Sequence, residues 1–217
     1  MNRPARLVTA VLTASAALLL TACSSGGGGG SDDNKISGAD AGGKSSTSPS
    51  AGPSDTAGRP EIKLPSDVND TFTPEETGDS VKDAILRDNA ELIRALDAAI
   101  VAQNPRLPAL AFYTDGEGAV AAQQWVQSFT KVGWTVTGTT RYFNRAVKVK
   151  SQTSAAIGYC ADESKAYSKI IKTGQVQGTK VTKDSYVAYS AEAAKNKQGI
   201  WQLVKITSTR GAAGCQP

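Results

Sequence analysis

The 217-residue chain contains no histidine, so the commonest general base and the commonest metal ligand are both missing. Ser-His-Asp, Cys-His and zinc-hydrolase chemistry therefore has no starting material, and neither a metal nor a cofactor is expected. Carboxylates and phenols are what remain for acid–base work. Read locally, Asp115-Gly116 is a turn before a helix, where a carboxylate also favours the helix N-terminus, and Asp162-Glu163 is a strand end turning into solvent. Asp115 to Gly118 (Asp-Gly-Glu-Gly) is too short for a phosphate loop and lacks the preceding strand and third glycine. Trp125, Trp134 and Trp201 each sit at periodic apolar positions and read as core.

The elements that must position any such site occupy only part of the chain. Residues 24–59 hold one large aliphatic side chain, Ile36, among Gly, Ser, Ala, Asp and Thr. Such a segment cannot offset a backbone ordering cost of about 1–2 kcal/mol per residue, and it reads as a disordered tether with a span of about 35 Å. Residues 61–217 carry nearly all the large apolar side chains and read as one globular domain. Within it, residues 60–117 carry 12 acidic and 5 basic side chains, net −7, and residues 118–217 carry 14 basic and 4 acidic, net +10. The plain reading is solvated charge pairing across the fold; the functional one is a basic face for anionic headgroups or wall polymers.

At the N-terminus, Arg3 and Arg6 precede an apolar run from Leu7 to Leu20, closed by Leu20-Thr21-Ala22-Cys23. The run is short of the roughly 20 residues needed to cross hydrocarbon and reads as a secretory signal over residues 1–22. The four-residue close resembles the lipobox of bacterial lipoproteins. That resemblance implies a diacylglyceryl group on Cys23, a tether over 23–60, and a domain held at the extracytoplasmic face of the cell membrane, away from nucleic acid. Once Cys23 is lipidated, Cys160 and Cys215 remain, and an even pair in an oxidising compartment reads as one disulfide.

Thr73-Pro74-Glu75-Glu76 has the residue types of a helix start, and Asp79-Ser80 offers a second cap. From there to about Gln103, Val81, Ile85, Leu92 and Leu96 recur on one stripe, so the spacing predicts a long helix ended by Asn104-Pro105 and Pro108. A second helix is predicted from about Glu117 to Lys131, stopped by Gly133. The period then changes to two. Strands are predicted over 134–149, 155–160, 185–191 and 200–207, with a turn at 196–199, and Ser164 to Ile171 is open between strand, turn and helical insert. Helices first and strands afterwards predict α+β with an antiparallel sheet.

A long helix, a loop bearing Phe112 and Tyr113, a shorter helix, and a meander closing on Trp201-Gln-Leu-Val-Lys-Ile resemble the NTF2-like cone of small actinobacterial lipoproteins. In that group a segment like Tyr159-Cys160-Ala161-Asp162-Glu163-Ser164 recurs in a central strand and a second cysteine follows the last strand. The resemblance implies helices packed on a curved antiparallel sheet around a pocket. Enzymes of the superfamily place an Asp with His or Tyr partners there, which points to Asp115, Asp162 and Glu163 as acids and to Tyr113, Tyr142 and Tyr159 as donors. Two functions follow: a non-catalytic envelope module binding a protein, a wall polymer or a small apolar ligand, and a lyase or isomerase using Asp/Tyr acid–base chemistry. A side-chain-filled cone favours the module, and a deep pocket with an inward carboxylate near a Tyr favours the enzyme.

Overall fold

A computed structural model describes residues 58–217. The expected signal sequence, Cys23 and almost all of the tether lie outside the described residues. A strand β1 (Val68–Phe72) is followed by helices α1 (Ser80–Val101), α2 (Pro108–Phe112) and α3 (Gly116–Thr130). Strands β2 (Trp134–Ser151), β3 (Ser154–Ile170), β4 (Val176–Gln177), β5 (Tyr186–Lys195) and β6 (Trp201–Arg210) complete the domain. The sheet order is β1-β2-β3-β5-β6, with β4 paired to the far end of β3. All pairings are antiparallel except β1 with β2. The fold is thus α+β, with the helices packed on one curved sheet in the cone arrangement that the resemblance implied.

Two features curve the sheet. The β2–β3 register shifts between Thr139/Arg141 and between Phe143/Ala146, and such irregularities bend a strand pair. Gly138 adopts φ +96°, and a Cβ there would lie 2.1 Å from the Lys165 carbonyl oxygen, so only glycine fits. The concave face and the inner stripe of α1 form the core, with Ile85, Ile93, Ile100, Tyr113, Val126, Ile157 and Trp201 among its buried members. Among the described residues, this core cluster draws on residues 62–206. Among the described residues no helix is long and apolar enough to cross a membrane.

The structure corrects several expectations. No helix starts at Thr73-Pro74: the Thr73 amide donates to the Tyr142 carbonyl at 2.8 Å, extending the β1 ladder, and Thr77 donates through both N and Oγ1 to Asp83. The second cap is used, Asp79 accepting from the Val81 and Lys82 amides. The predicted short strand over 155–160 runs on to Ile170, which settles Ser164 to Ile170 as strand and leaves Ile171 in the turn that follows. Consequently Asp162-Glu163 is no strand end but lies mid-strand, with Asp162 paired to Arg141 and Glu163 to Arg210. Strand β1 and helix α2 had no counterpart in the sequence reading. Trp201 is core, whereas Trp125 and Trp134 are 44% and 36% exposed.

Two buried charges outside the cavity have partners, although Arg145 Nε is left without one. Asp88 accepts from the Trp201 amide at 2.8 Å and from Arg59. Arg145, under a β2 irregularity, donates to the carbonyls of Pro74 and Leu86 and to Asn89 Oδ1, and stacks on Phe72. Burial lowers its pKa to about 10, leaving it charged at neutral pH. The Cys160–Cys215 disulfide forms, with the cysteines 5.5 Å apart at Cα, and ties the tail after β6 back onto β3.

Candidate active site

Between α1, α3 and the concave face lies a cavity of about 640 Å³. Alternation along β1 turns Asp70 to the same side as the buried Val68 and Phe72, and both Asp70 and Val68 line the cavity. Helical spacing places Asp97 four residues after Ile93, within the inward stripe of α1. The two carboxyl groups are within hydrogen-bond reach of one another. Asp70 Oδ2 is buried and meets no hydrogen-bond donor, so a proton on either carboxyl group is what would join the pair.

Two carboxyl groups so placed cannot both ionise easily. Burial pushes Asp97 well above the usual carboxylate range, and the charge of Asp70, their hydrogen bond and the charge of Glu163 push it further. Burial also raises Asp70, but the Arg94 guanidinium and the hydrogen bond from Asp97 pull it back to about 6. Both carboxyl groups therefore hold a proton more tightly than a free carboxylate does, Asp97 more strongly than Asp70. A pair of this kind favours sharing one proton, which places a proton donor and a proton acceptor side by side.

Phenols surround them. Phe72 stacks on its cross-strand partner Tyr142 at 5.2 Å, Tyr142 meets Tyr159 edge-on at 6.1 Å, and Tyr159 stacks on its partner Tyr189 at 5.0 Å. This ladder crosses β1, β2, β3 and β5 and floors the cavity. Burial, then the charges of Asp97 and Asp70, raise Tyr142 far above its ordinary value; burial pushes Tyr159 up to about 12. Both stay protonated, and Tyr142 is a third donor close to the carboxyl pair. On the far wall Tyr189 shares a hydrogen bond with Glu163, which Arg210 holds at 2.6 Å while also donating to the Asp184 carbonyl.

Of the residues picked from sequence, Tyr142, Tyr159 and Glu163 line the cavity. Tyr113 is fully buried under α2 against Phe112, its carbonyl accepting from the Leu203 amide. Asp115 caps α3 through the Gly116 amide, and Asp162 pairs with Arg141; none of these three reaches the cavity. The sequence reading missed Asp70 and Asp97. Asp97 had a signal, a carboxylate inside an apolar helical stripe. Asp70 had only the alternation Val68-Asp70-Phe72, inside an Asn-Asp-Thr run that resembles a turn. Among the described residues no three His, Cys, Asp or Glu side chains are grouped to hold a metal ion.

Compared by sequence, the chain matches no family model and no curated protein. Compared by structure, it is similar to a ketosteroid isomerase-like protein from Erwinia carotovora atroseptica, with a TM-score of 0.41 and 14% identity over 62% of this chain and 98% of that one. It is also similar to the intermembrane space region of the chloroplast protein ARC6, with a TM-score of 0.40 and 9% identity over 62% of this chain and 99% of that one.

Proposed function

We propose that the chain is a lipid-anchored protein of the extracytoplasmic membrane face whose domain transfers protons on a small, largely apolar substrate, as an isomerase or a lyase. The anchor rests on the Leu-Thr-Ala-Cys close at Cys23. The chemistry rests on one observation, Asp70 and Asp97 together facing a cavity large enough for a ligand and floored by phenols, and is supported by the raised proton affinity of both carboxyl groups. A cone filled by its own side chains would have favoured a binding module without chemistry.

For a carbonyl substrate, Asp70 takes the proton from the carbon next to the carbonyl while Asp97 delivers its proton to the carbonyl oxygen, giving an enol. Return of the proton from Asp70 to a different carbon of a conjugated enol, with the enol O–H proton going back to Asp97, completes an isomerisation. For a β-hydroxy carbonyl, Asp97 protonates the departing hydroxyl and Asp70 takes the α-proton, releasing water. Tyr142 supplies a further hydrogen bond to the oxygen on which charge develops. Either course is complete in protons and needs only the two states the pair already holds.

The test follows deuterium uptake from D₂O into the α-positions of a series of cyclic ketones, from cyclohexenone to decalone, by NMR with the disulfide-intact chain Ser24–Pro217. Exchange should exceed the buffer rate, rise with pH through about 6 as Asp70 ionises, and fall to the buffer rate in Asp70→Asn. Exchange that survives Asp70→Asn removes Asp70 as the base; a series that never exceeds buffer removes enolisation.

A further inference from the structure

The cavity is open where α3 ends and β2 begins, and that opening is built unlike the rest of the surface. Trp125 and Trp134 both line the cavity and are both partly exposed, with Phe129 edge-on to Trp125 at 5.4 Å. The adjoining corner adds Val132 and Ile171, 55% and 48% exposed. It is closed by a hydrogen bond from the Ile171 amide to the Gly133 carbonyl and by the pairing of Trp134 with Ile170. The loop after β4 brings Thr179 and Lys180 to the other side of the opening.

Basic side chains beside these residues stand unpaired: Lys131 and Lys172 adjoin the corner in sequence and Lys180 lines the opening, all three are exposed, and among the described residues no carboxylate lies within ion-pair distance of any of them. The nearby acids are Asp67, which is paired to Lys169, and Asp184, which also lines the cavity. Other lysines of the domain do have partners, as in Lys150–Glu192 and Lys169–Asp67. The acids of α3, Asp115 and Glu117, are confined to its opposite end. Half-exposed indoles ringed by unpaired lysines suit a surface that is apolar within and anionic at its boundary, because an indole settles at the headgroup level and ammonium groups meet lipid phosphates.

We infer that this rim docks on an anionic phospholipid bilayer, so that the cavity opens onto the membrane and takes its ligand from the lipid phase. The proposed diacyl group on Cys23, with a tether whose composition gives a span of about 35 Å, keeps the rim within reach of that surface. The inference concerns how ligand arrives and stands apart from the carboxyl-pair chemistry.

The chain Ser24–Pro217, which lacks the anchor cysteine but retains the whole core, is mixed with vesicles of phosphatidylglycerol and phosphatidylcholine carrying brominated acyl chains. Bromine quenches only indoles that enter the acyl boundary, and Trp201 is 2% exposed and serves as the unquenched reference. Expected are quenching and a blue shift of the Trp125 and Trp134 emission on vesicles rich in phosphatidylglycerol. Trp125→Ala/Trp134→Ala should reduce partitioning at least about tenfold with unchanged far-UV circular dichroism, and Lys172→Gln and Lys180→Gln should each reduce it about fivefold. Absence of binding, pelleting without quenching, or a concentration-dependent dimer in sedimentation velocity that the tryptophan variant dissociates would each overturn the inference, the last by making the rim an interface between copies. If vesicle binding fails while Asp70-dependent exchange persists, only the docking falls; Asp70→Asn should bind vesicles as the parent chain does.

Discussion

Replacing Asp70 by Asn should make the protein more stable at neutral pH and leave it unchanged in acid. Asp70 ionises at about 6 in the folded chain against 3.8 when free. The folded state therefore holds this proton more tightly than the unfolded chain does. Its contribution is fully present below the unfolded value, declines as the pH rises, and is lost above about 6. At about 1.4 kcal/mol per tenfold change in proton affinity, keeping the group ionised weakens the fold by up to about 3 kcal/mol. Water reaching the cavity through its open mouth screens part of this, and about 1–2 kcal/mol is the working figure. Asn keeps the shape of the side chain and removes the charge, and with that charge gone Asp97 also ionises more easily, which adds to the gain. Urea unfolding of the parent chain and of Asp70→Asn at about pH 8 should separate them by that amount, and at about pH 4 by less than about 0.5 kcal/mol. Equal differences at the two pH values would refute the shared proton, because they would show that Asp70 has no raised proton affinity in the fold.

Two further outcomes test the frame around the site. The Cys160→Ala/Cys215→Ala variant opens a closure of 55 residues, and should lose about 4 kcal/mol on the chain-entropy account, seen as a lower urea midpoint. Gly118→Ala would set a Cβ 2.3 Å from the Leu203 carbonyl oxygen, where α3 packs on β6. It should destabilise by at least about 2 kcal/mol despite the better helix propensity of alanine. Gly158→Ala, which meets nothing within 4 Å, is the control and should stay within about 0.5 kcal/mol by thermal melting.

Much of the fold was legible because its periods are clean. The inward stripe of α1 from Ile85 to Ile100 and the alternation on β5 and β6 are local patterns that tertiary structure did not override. The Thr73-Pro74 start failed because Tyr142, far along the chain, claims the Thr73 amide, a pairing no window of neighbouring residues contains. Trp125 and Trp134 failed for another reason: periodicity reports the face a residue sits on, and that face continues past the packed core to the rim of a cavity. The site was legible only in pieces. Tyr142 and Tyr159 could be picked as phenols on the right strands, but their acid partners come from β1, which is five residues long, and from a carboxylate within the apolar stripe of α1 whose partner lies on another element.

How the domain treats its other buried charges argues that the carboxyl pair is not a by-product of folding. Asp88 has the Trp201 amide and Arg59, Arg145 has two carbonyls and Asn89, and Glu163 has Arg210. Each carries an ion pair or several hydrogen bonds, even with Arg145 Nε left over, because an unpartnered buried charge destabilises a fold by several kcal/mol. Asp70 and Asp97 depart from that pattern: Arg94 acts on Asp70 through its field and is itself paired to Glu91, and Asp70 Oδ2 is buried without a hydrogen-bond donor. An asparagine or a leucine at either position would fold at least as well at neutral pH. What the pair provides, and those residues could not, is an acid and a base adjacent to one another at the floor of a cavity whose mouth is lined with indoles.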